Sequence, residues 1–429
     1  AGYYAVLLKD YNIKAEVTAT DRVAFQRFTF PQSEDSHVIF DIGNRQGESG
    51  PAVDAEVNIT EDGLIEGWVI TLPEYRKKYQ AGATITMYFS AKMDQLPDAF
   101  GTFIRENVQP GQRLVKGIGA GVYLTYKTSD NEAITAKVGL SYTSVENARL
   151  NREKETEQDQ MTFDKARELS SETWEEYLGR IRVETPVKED KIKFYTGLYH
   201  AVLGRGLASD INGAYPKNDG SVGQIPLENG KPAFNFYNTD ALWGGQWDLT
   251  QLWALAYPEY LSDYVSTHVQ VYKDAGWLAD GLACSRYVSG VGTNQLGNLI
   301  SAAYLCGIRD FEVNAAYEAA RKNELDGENR PMGAGKVDTD RFLKYGYVPH
   351  LDEGLSSSET WQFSASHTLE YSFGAYAVAQ MAKALGHEDD YKILMNLSKG
   401  WEHIYNEKLN LIQPKNADGS FIENFDPLQ

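Results

Sequence analysis

Cysteine is nearly absent from this chain: Cys284 and Cys306 are the only two in 429 residues, and neither belongs to a CxxC or Cys/His pattern. A disulfide framework and a structural zinc site are therefore not indicated, and two buried free thiols are expected. Long apolar runs are also missing. No stretch approaches the roughly eighteen residues that a membrane-spanning helix needs, and the opening AGYYAVLLKDY reads as a strand rather than a signal peptide. Positive charge is scarce, with Lys plus Arg at 41 against 60 Asp plus Glu and a formal net charge of −19. Such a field repels phosphate polymers and anionic membranes, which argues against nucleic acid as a partner. The chain also has no G-x-S-x-G elbow, no H-E-x-x-H and no dinucleotide fingerprint. GAGKVD offers a Gly-Lys pair, but Val337 follows Lys336 where a P-loop requires Ser or Thr.

What is present is the composition of a folded protein, 42% apolar and 24% charged. A chain this long can bury sizeable cores and accommodates about two or three domains at roughly 150 residues each. Aromatics reach 12%, with 27 Tyr and 8 Trp, which suits flat amphipathic surfaces facing a polar ligand and equally suits large cores.

From the start to about residue 147, short alternating runs such as YYAVLLK, IKAEVTAT, HVIFDI, AEVNIT, GWVITL, TITMYFSA, GVYLTYKT and TAKVGLSYT are separated by Gly, Pro, Asn and Asp. Period-two patterning with frequent turns predicts an antiparallel β sandwich over 1–147. The charged stretch that follows spaces Phe163, Ala166, Leu169, Trp174, Tyr177 and Leu178 at helical intervals, predicting a helical linker over 148–186. Beyond residue 187, apolar stripes recur with helical period in KIKFYTGLYHAVLGR, DLTQLWALAYP, YLSDYVSTHVQVYKDA, NLISAAYLCGI, EVNAAYEAARKN, LEYSFGAYAVAQMAKALG and YKILMNLSKGWEHIYNE. A multidomain β + α chain is expected, with an α/α toroid or bundle over 187–429 and long Gly-, Asp- and Trp-bearing loops as the natural place for a ligand site.

The chemistry open to such residues is that of carboxylates among aromatics. Glycoside hydrolysis needs one protonated carboxyl for the leaving oxygen and, with inversion, a second carboxylate to activate water. Within SHTLEYSFGAYAVAQMAKALG, Leu369, Phe373, Ala377, Met381 and Leu385 repeat every four residues and are expected to face a core, with Glu370 beside them in the first turn. A glutamate there complements the helix dipole at the least. To serve as a general acid it must be desolvated, since burial raises a carboxyl pKa and the helix N-terminus lowers it.

The chain resembles glycoside hydrolase family 92, the calcium-dependent exo-acting α-mannosidases common in gut Bacteroidetes. The segments that carry the resemblance are GYYAVLLKDYNIKAEVTATDRVAFQRFTFP, KVGLSYTSVENARLNRE, DALWGGQWDLTQLWALAYPEY, SAAYLCGIRDFEVNAAYEAA, YGYVP, SHTLEYSFGAYAVAQMAKALG and PKNADGSFIENFDP, in that order. The resemblance implies an N-terminal β sandwich, an (α/α)6 toroid, a site between them and calcium at its floor. It also implies that Glu370 in T-L-E-Y is the general acid and that Trp247 and Asp248 in W-D hold the terminal mannose. Core packing for Trp247 and helix capping for Asp248 are the alternatives. Calcium, a hard cation taking oxygen ligands, suits the vicinal hydroxyls O2 and O3 of mannose; its protein ligands are not derivable from spacing.

Departures from the family pattern bear on linkage specificity. Gln295 stands where many members have His, Ala302 where they have Asp, and Gly374 and Ala375 where they have an aspartate pair. The family's general base lies in a G-D-D-D-x-G motif downstream of F-D-P, expected beyond Gln429, and its first strands are expected before Ala1, so the fold is expected to be incomplete at both ends. Family members are usually periplasmic or extracellular. An inverting exo-α-mannosidase acting on mannose-containing glycans is thus the leading expectation. A non-catalytic mannoside-binding or scaffold protein, or a phosphorylase of the same architecture, is the alternative.

Overall fold

Alternation of apolar and polar residues in the first third of the chain closes into two antiparallel sheets. The computed structural model describes residues 1–44, 51–73, 83–203, 206–238, 244–288, 292–351 and 363–427. The larger sheet has eight strands in the order β1 (Tyr3–Leu8), β2 (Ile13–Ala19), β3 (Val23–Phe30), β12 (Glu132–Ser141), β7 (Ile85–Met93), β6 (Ile65–Thr71), β5 (Ala52–Ile59) and β10 (Leu114–Lys116). The smaller has four, in the order β4 (Ser33–Asp41), β11 (Ala120–Thr128), β8 (Ala99–Ile104) and β9 (Asn107–Pro110). Every second residue points inward, so Val57, Ile65, Phe89 and Ala136 of one sheet meet Val38, Val122, Leu124 and Tyr126 of the other in a single buried cluster. This is the expected sandwich. It also contains β3 and the short β8, β9 and β10, which were not among the runs read as strands.

The charged segment after the last sandwich strand forms α1 (Val145–Glu155) and α2 (Phe163–Gly179), capped by Ser144 and Thr162, whose hydroxyls accept from the N–H of Asn147 and Lys165. The helix α2 buries Phe163 and Ala166 against Val23 and Phe25 of β3. Arg27 lies 4.2 Å over the Phe163 ring. These helices and α3 (Lys188–Val202) belong to the compact unit that holds the sheets, which runs on to Pro216 and includes Gly220–Asn235.

The second compact unit takes in Lys217–Asp219 and the chain from Phe236 onward. Its helices are α4 (Leu249–Ala256), α5 (Pro258–Ala275), α6 (Leu296–Leu305), α7 (Val313–Leu325), α8 (Thr339–Tyr345), α9 (Ser364–Leu385), α10 (Glu388–Leu397) and α11 (Gly400–His403). The helix α9 packs against α6, α7, α10 and α11. Small hairpins, Gly281–Ala283 with Arg286–Val288 and Tyr405–Asn406 with Leu411–Ile412, interrupt the helices where little strand signal was read.

Two local expectations need correction. A strict repeat of four advances about 40° per step around a helix that turns about 100° per residue. The stripe expected on α9 therefore winds off the buried face: Leu369 is 40% and Phe373 52% exposed, and Met381 alone is fully buried. The real inward face follows the mixed spacing of Ser364, Thr368, Tyr371, Ala375, Val378 and Ala382. Secondly, Cys284 is buried but Cys306 is exposed, and both are free.

Candidate active site

Glu370 lies in the second turn of α9, which begins at Ser364, not in the first. The macrodipole falls off within one turn, so it has little hold on this carboxyl. Burial pushes the Glu370 pKa up, opposed by the positive charge of Lys336 and then by His367. No second carboxylate is needed for the rise.

Across from it, the chain enters α6 through a turn pinned by buried polar groups. Asp280 accepts from the N–H of Asn294 at 2.8 Å and of Gly292 at 3.1 Å, and the Asn294 side chain donates to the carbonyls of Leu278 at 3.0 Å and Gly335 at 3.2 Å. Asn294 adopts φ of +40° in this turn, a strained value held by those bonds. They fix the next residue, buried Gln295, whose amide N–H donates to Oε2 of Glu370 while its own Oε1 accepts from Asn298.

Beneath this pair sits a buried ion pair. Lys336 is 1% exposed, donates to Glu324 Oε2 at 2.6 Å and stands 2.5 Å from Oε1. Burial raises the Glu324 pKa against the pull of Lys336. Gly374 of α9 makes room: a Cβ there would collide with the Lys336 ammonium. On the same helix, His367 is buried, stacked on Tyr371 at 5.4 Å, with Nδ1 3.3 Å from Asp338 Oδ2. Asp338 also receives Arg341 at 3.0 Å.

Trp247 and Asp248 lie in the turn before α4. Trp247 is 73% exposed, so core packing does not account for it. Asp248 occupies the N-cap position of α4, but its side chain makes no capping bond. Among the described residues, no hydrogen bond or ion pair joins either to Glu370, and residues 240–243 of the DALWGGQWD segment lie outside the described residues.

Sequence reasoning missed Glu324 and Asn298 and dismissed Lys336 as a broken P-loop. Asn298 was within reach, since a residue three places along a helix from Gln295 shares its face. Glu324 and Lys336 meet across a loop with no periodic signal. Calcium takes six to eight oxygen ligands, whereas among the described residues no three His, Cys, Asp or Glu side chains converge. No step below passes through a metal.

The sequence profile of the glycosyl hydrolase family 92 catalytic domain matches residues 147–429, and that of the family's N-terminal domain matches residues 1–141. An uncharacterized secreted glycosidase of Arthroderma benhamiae is 25% identical over 452 aligned residues, covering 99% of this chain and 51% of the relative. A family GH92 alpha-mannosidase from Bacteroides thetaiotaomicron superposes with a TM-score of 0.84 at 22% identity, over 100% of this chain and 54% of its own. A family GH92 inverting mannosidase from the same organism gives 0.85 at 20% identity, over 99% and 54%. The chain thus spans about half the length of these relatives. With both family profiles matched in order along the sequence, the chain belongs to glycosyl hydrolase family 92.

Proposed function

We propose that this chain carries the general acid of an exo-acting α-mannosidase that releases terminal α-linked mannose from glycans with inversion. The observation that carries the reading is the half-buried Glu370, its pKa raised by desolvation and one oxygen engaged by an amide donor. In this role the protonated carboxyl gives its proton to the glycosidic oxygen as the bond from C1 to that oxygen breaks. Water then adds to the opposite face. No residue of this chain is assigned as the base that activates it. Inversion is suggested by the relative that is an inverting mannosidase, and export to the periplasm or beyond by the relative described as secreted. Among the described residues no helix is long and apolar enough to cross a membrane.

The test is Glu370→Gln in the full-length protein. Loss of roughly 10²–10⁴ in kcat/KM is expected on an α-mannobiose, and a smaller loss on an aryl mannoside whose leaving group needs no proton. Equal, undiminished turnover of both would defeat the assignment. A carboxyl acting as acid is needed protonated, so activity is expected to fall as pH rises through its pKa. Calcium dependence is part of the same proposal, resting on the family resemblance alone; the expected result is loss of β-mannose release in EDTA and recovery with added calcium, followed by proton NMR.

The exposure of Trp247 favours a second reading, a mannoside-binding protein without turnover, because a bare indole is a ready platform for a sugar face. Saturable binding by calorimetry without any hydrolysis would support it.

A further inference from the structure

We propose that Gln295 is the positioning residue of the acid: its amide N–H, oriented by Asn298, occupies Oε2 of Glu370 and confines the transferable proton to Oε1. The inference rests on reading Glu370 as the general acid. A carboxyl proton on Oε2 would point at an N–H that already points back, so the proton belongs on the other oxygen. Asn298 donates to Oε1 of Gln295 and so favours this orientation, while its own Oδ1 is buried without a partner among the described residues; turning both amides together would make Gln295 an acceptor from the acid, the alternative that the titration below separates. Asn298 is itself buried on the same face of α6, three residues along.

The arrangement makes a specific electrostatic prediction. An amide donating to a carboxylate favours the charged form, so removing it raises the pKa of the carboxyl. If the amide were instead turned to accept from the protonated acid, removal would lower it. The charges that reach Glu370 are Lys336, paired with Glu324 of α7, and His367 of its own helix, facing Asp338. They are common to every variant below, so differences report on Gln295.

Full-length protein carrying carbon-13 at the glutamate carboxyl is titrated by NMR, with the Glu370 signal identified by its loss in Glu370→Gln. Gln295→Met, which keeps the length of the side chain and removes the donor, is expected to raise the Glu370 midpoint by about one pH unit. Gln295→His, which restores an N–H donor, brings it back towards the original value. Asn298→Leu shifts it in the same direction by less, and decides the matter if Gln295→Met does not fold. The alkaline limb of the kcat/KM profile moves with the midpoint. A midpoint that falls or stays in place overturns the assignment of Gln295. An active Glu370→Gln protein, by contrast, sinks the general-acid reading whatever the titration shows.

Discussion

Glu16, in the unit of sheets, and Glu370, in the helical unit, are both glutamates withdrawn from water, and they are pushed in opposite directions. Glu16 on β2 accepts from Tyr3 at 2.6 Å and from Arg27 at 2.9 and 3.1 Å, with Lys14 at 3.0 Å. Those donors, Arg27 first, hold its pKa down at about 2. Glu370 has an amide donor, with Lys336 and His367 at longer range, and burial wins. Asp210 falls between. It accepts from Ser141 at 3.0 Å and Asn151 at 2.7 Å and also from Thr143, yet burial still raises its pKa because those donors are neutral. Geometry alone therefore does not make a carboxyl an acid at neutral pH. A carboxyl that ties strands together is saturated with cationic donors, and one available for proton transfer is left under-partnered.

The comparison can be broken most severely at the ion pair under Glu370. Lys336→Met leaves Glu324 buried without its cation and is expected to cost about 3–5 kcal/mol in urea unfolding. Lys336→Met combined with Glu324→Leu recovers most of that, because an apolar pair of similar size is tolerated where half an ion pair is not. If the single and double variants are equally unstable, the pair is not what holds α7 to the loop before α8.

Next comes Glu16→Gln, expected to lose about 2 kcal/mol near neutral pH. The folded-state pKa of Glu16 is about 2 against an ordinary 4.5. Its contribution is therefore fully present above about 4.5 and disappears as pH falls through about 2. Denaturation curves of the two proteins should converge across that window, and a constant gap would show that the bonds to Arg27 and Tyr3 are not the source.

His268 on α5 gives the converse case in the helical unit. It is buried, among the described residues neither ring nitrogen has a hydrogen-bond partner, and burial depresses its pKa from 6.5 to about 3. The unfolded chain binds the proton first, so stability drains away as pH falls from about 6.5 towards about 3. His268→Phe keeps the ring that meets Tyr264 edge-on and removes the titration. A gain of about 1–2 kcal/mol is expected at pH near 5, and a smaller one above pH near 7.

The smallest effect on folding is expected at the exposed Trp247, where Trp247→Ala should change stability by no more than about 0.5 kcal/mol. Calorimetry with an α-mannobiose sharpens its role. A fall in affinity of about tenfold or more is expected if the indole carries the sugar. Unchanged affinity would leave it as bare surface.

The sandwich was legible because period two needs no partner to be seen. Ala55, Val57 and Ile59 are buried on β5 exactly where alternation places them, as are Val122, Leu124 and Tyr126 on β11. In β3 the same alternation, with Phe28 and Phe30 towards the sandwich core and Val23 and Phe25 towards α2, was present and unread, whereas β10 is three residues long and carries almost none. On α9 the helix was legible and its inward face was not. Leu and Phe at a strict spacing of four outweighed the small residues, and it was the small ones, Ala375, Val378, Ala379 and Ala382, that were buried.

Local pattern by itself determined that this chain is strands followed by helices and that its field is acidic. Periodicity and motif are properties of neighbours along the backbone. Tertiary structure alone decided that Gln295 reaches Glu370 across 75 positions of sequence, that Lys336 answers Glu324, and that Gly374 leaves the space for its ammonium. The pKa of a carboxyl depends on how much water is removed and which charges remain within a few ångströms. Those quantities exist only once distant segments have packed.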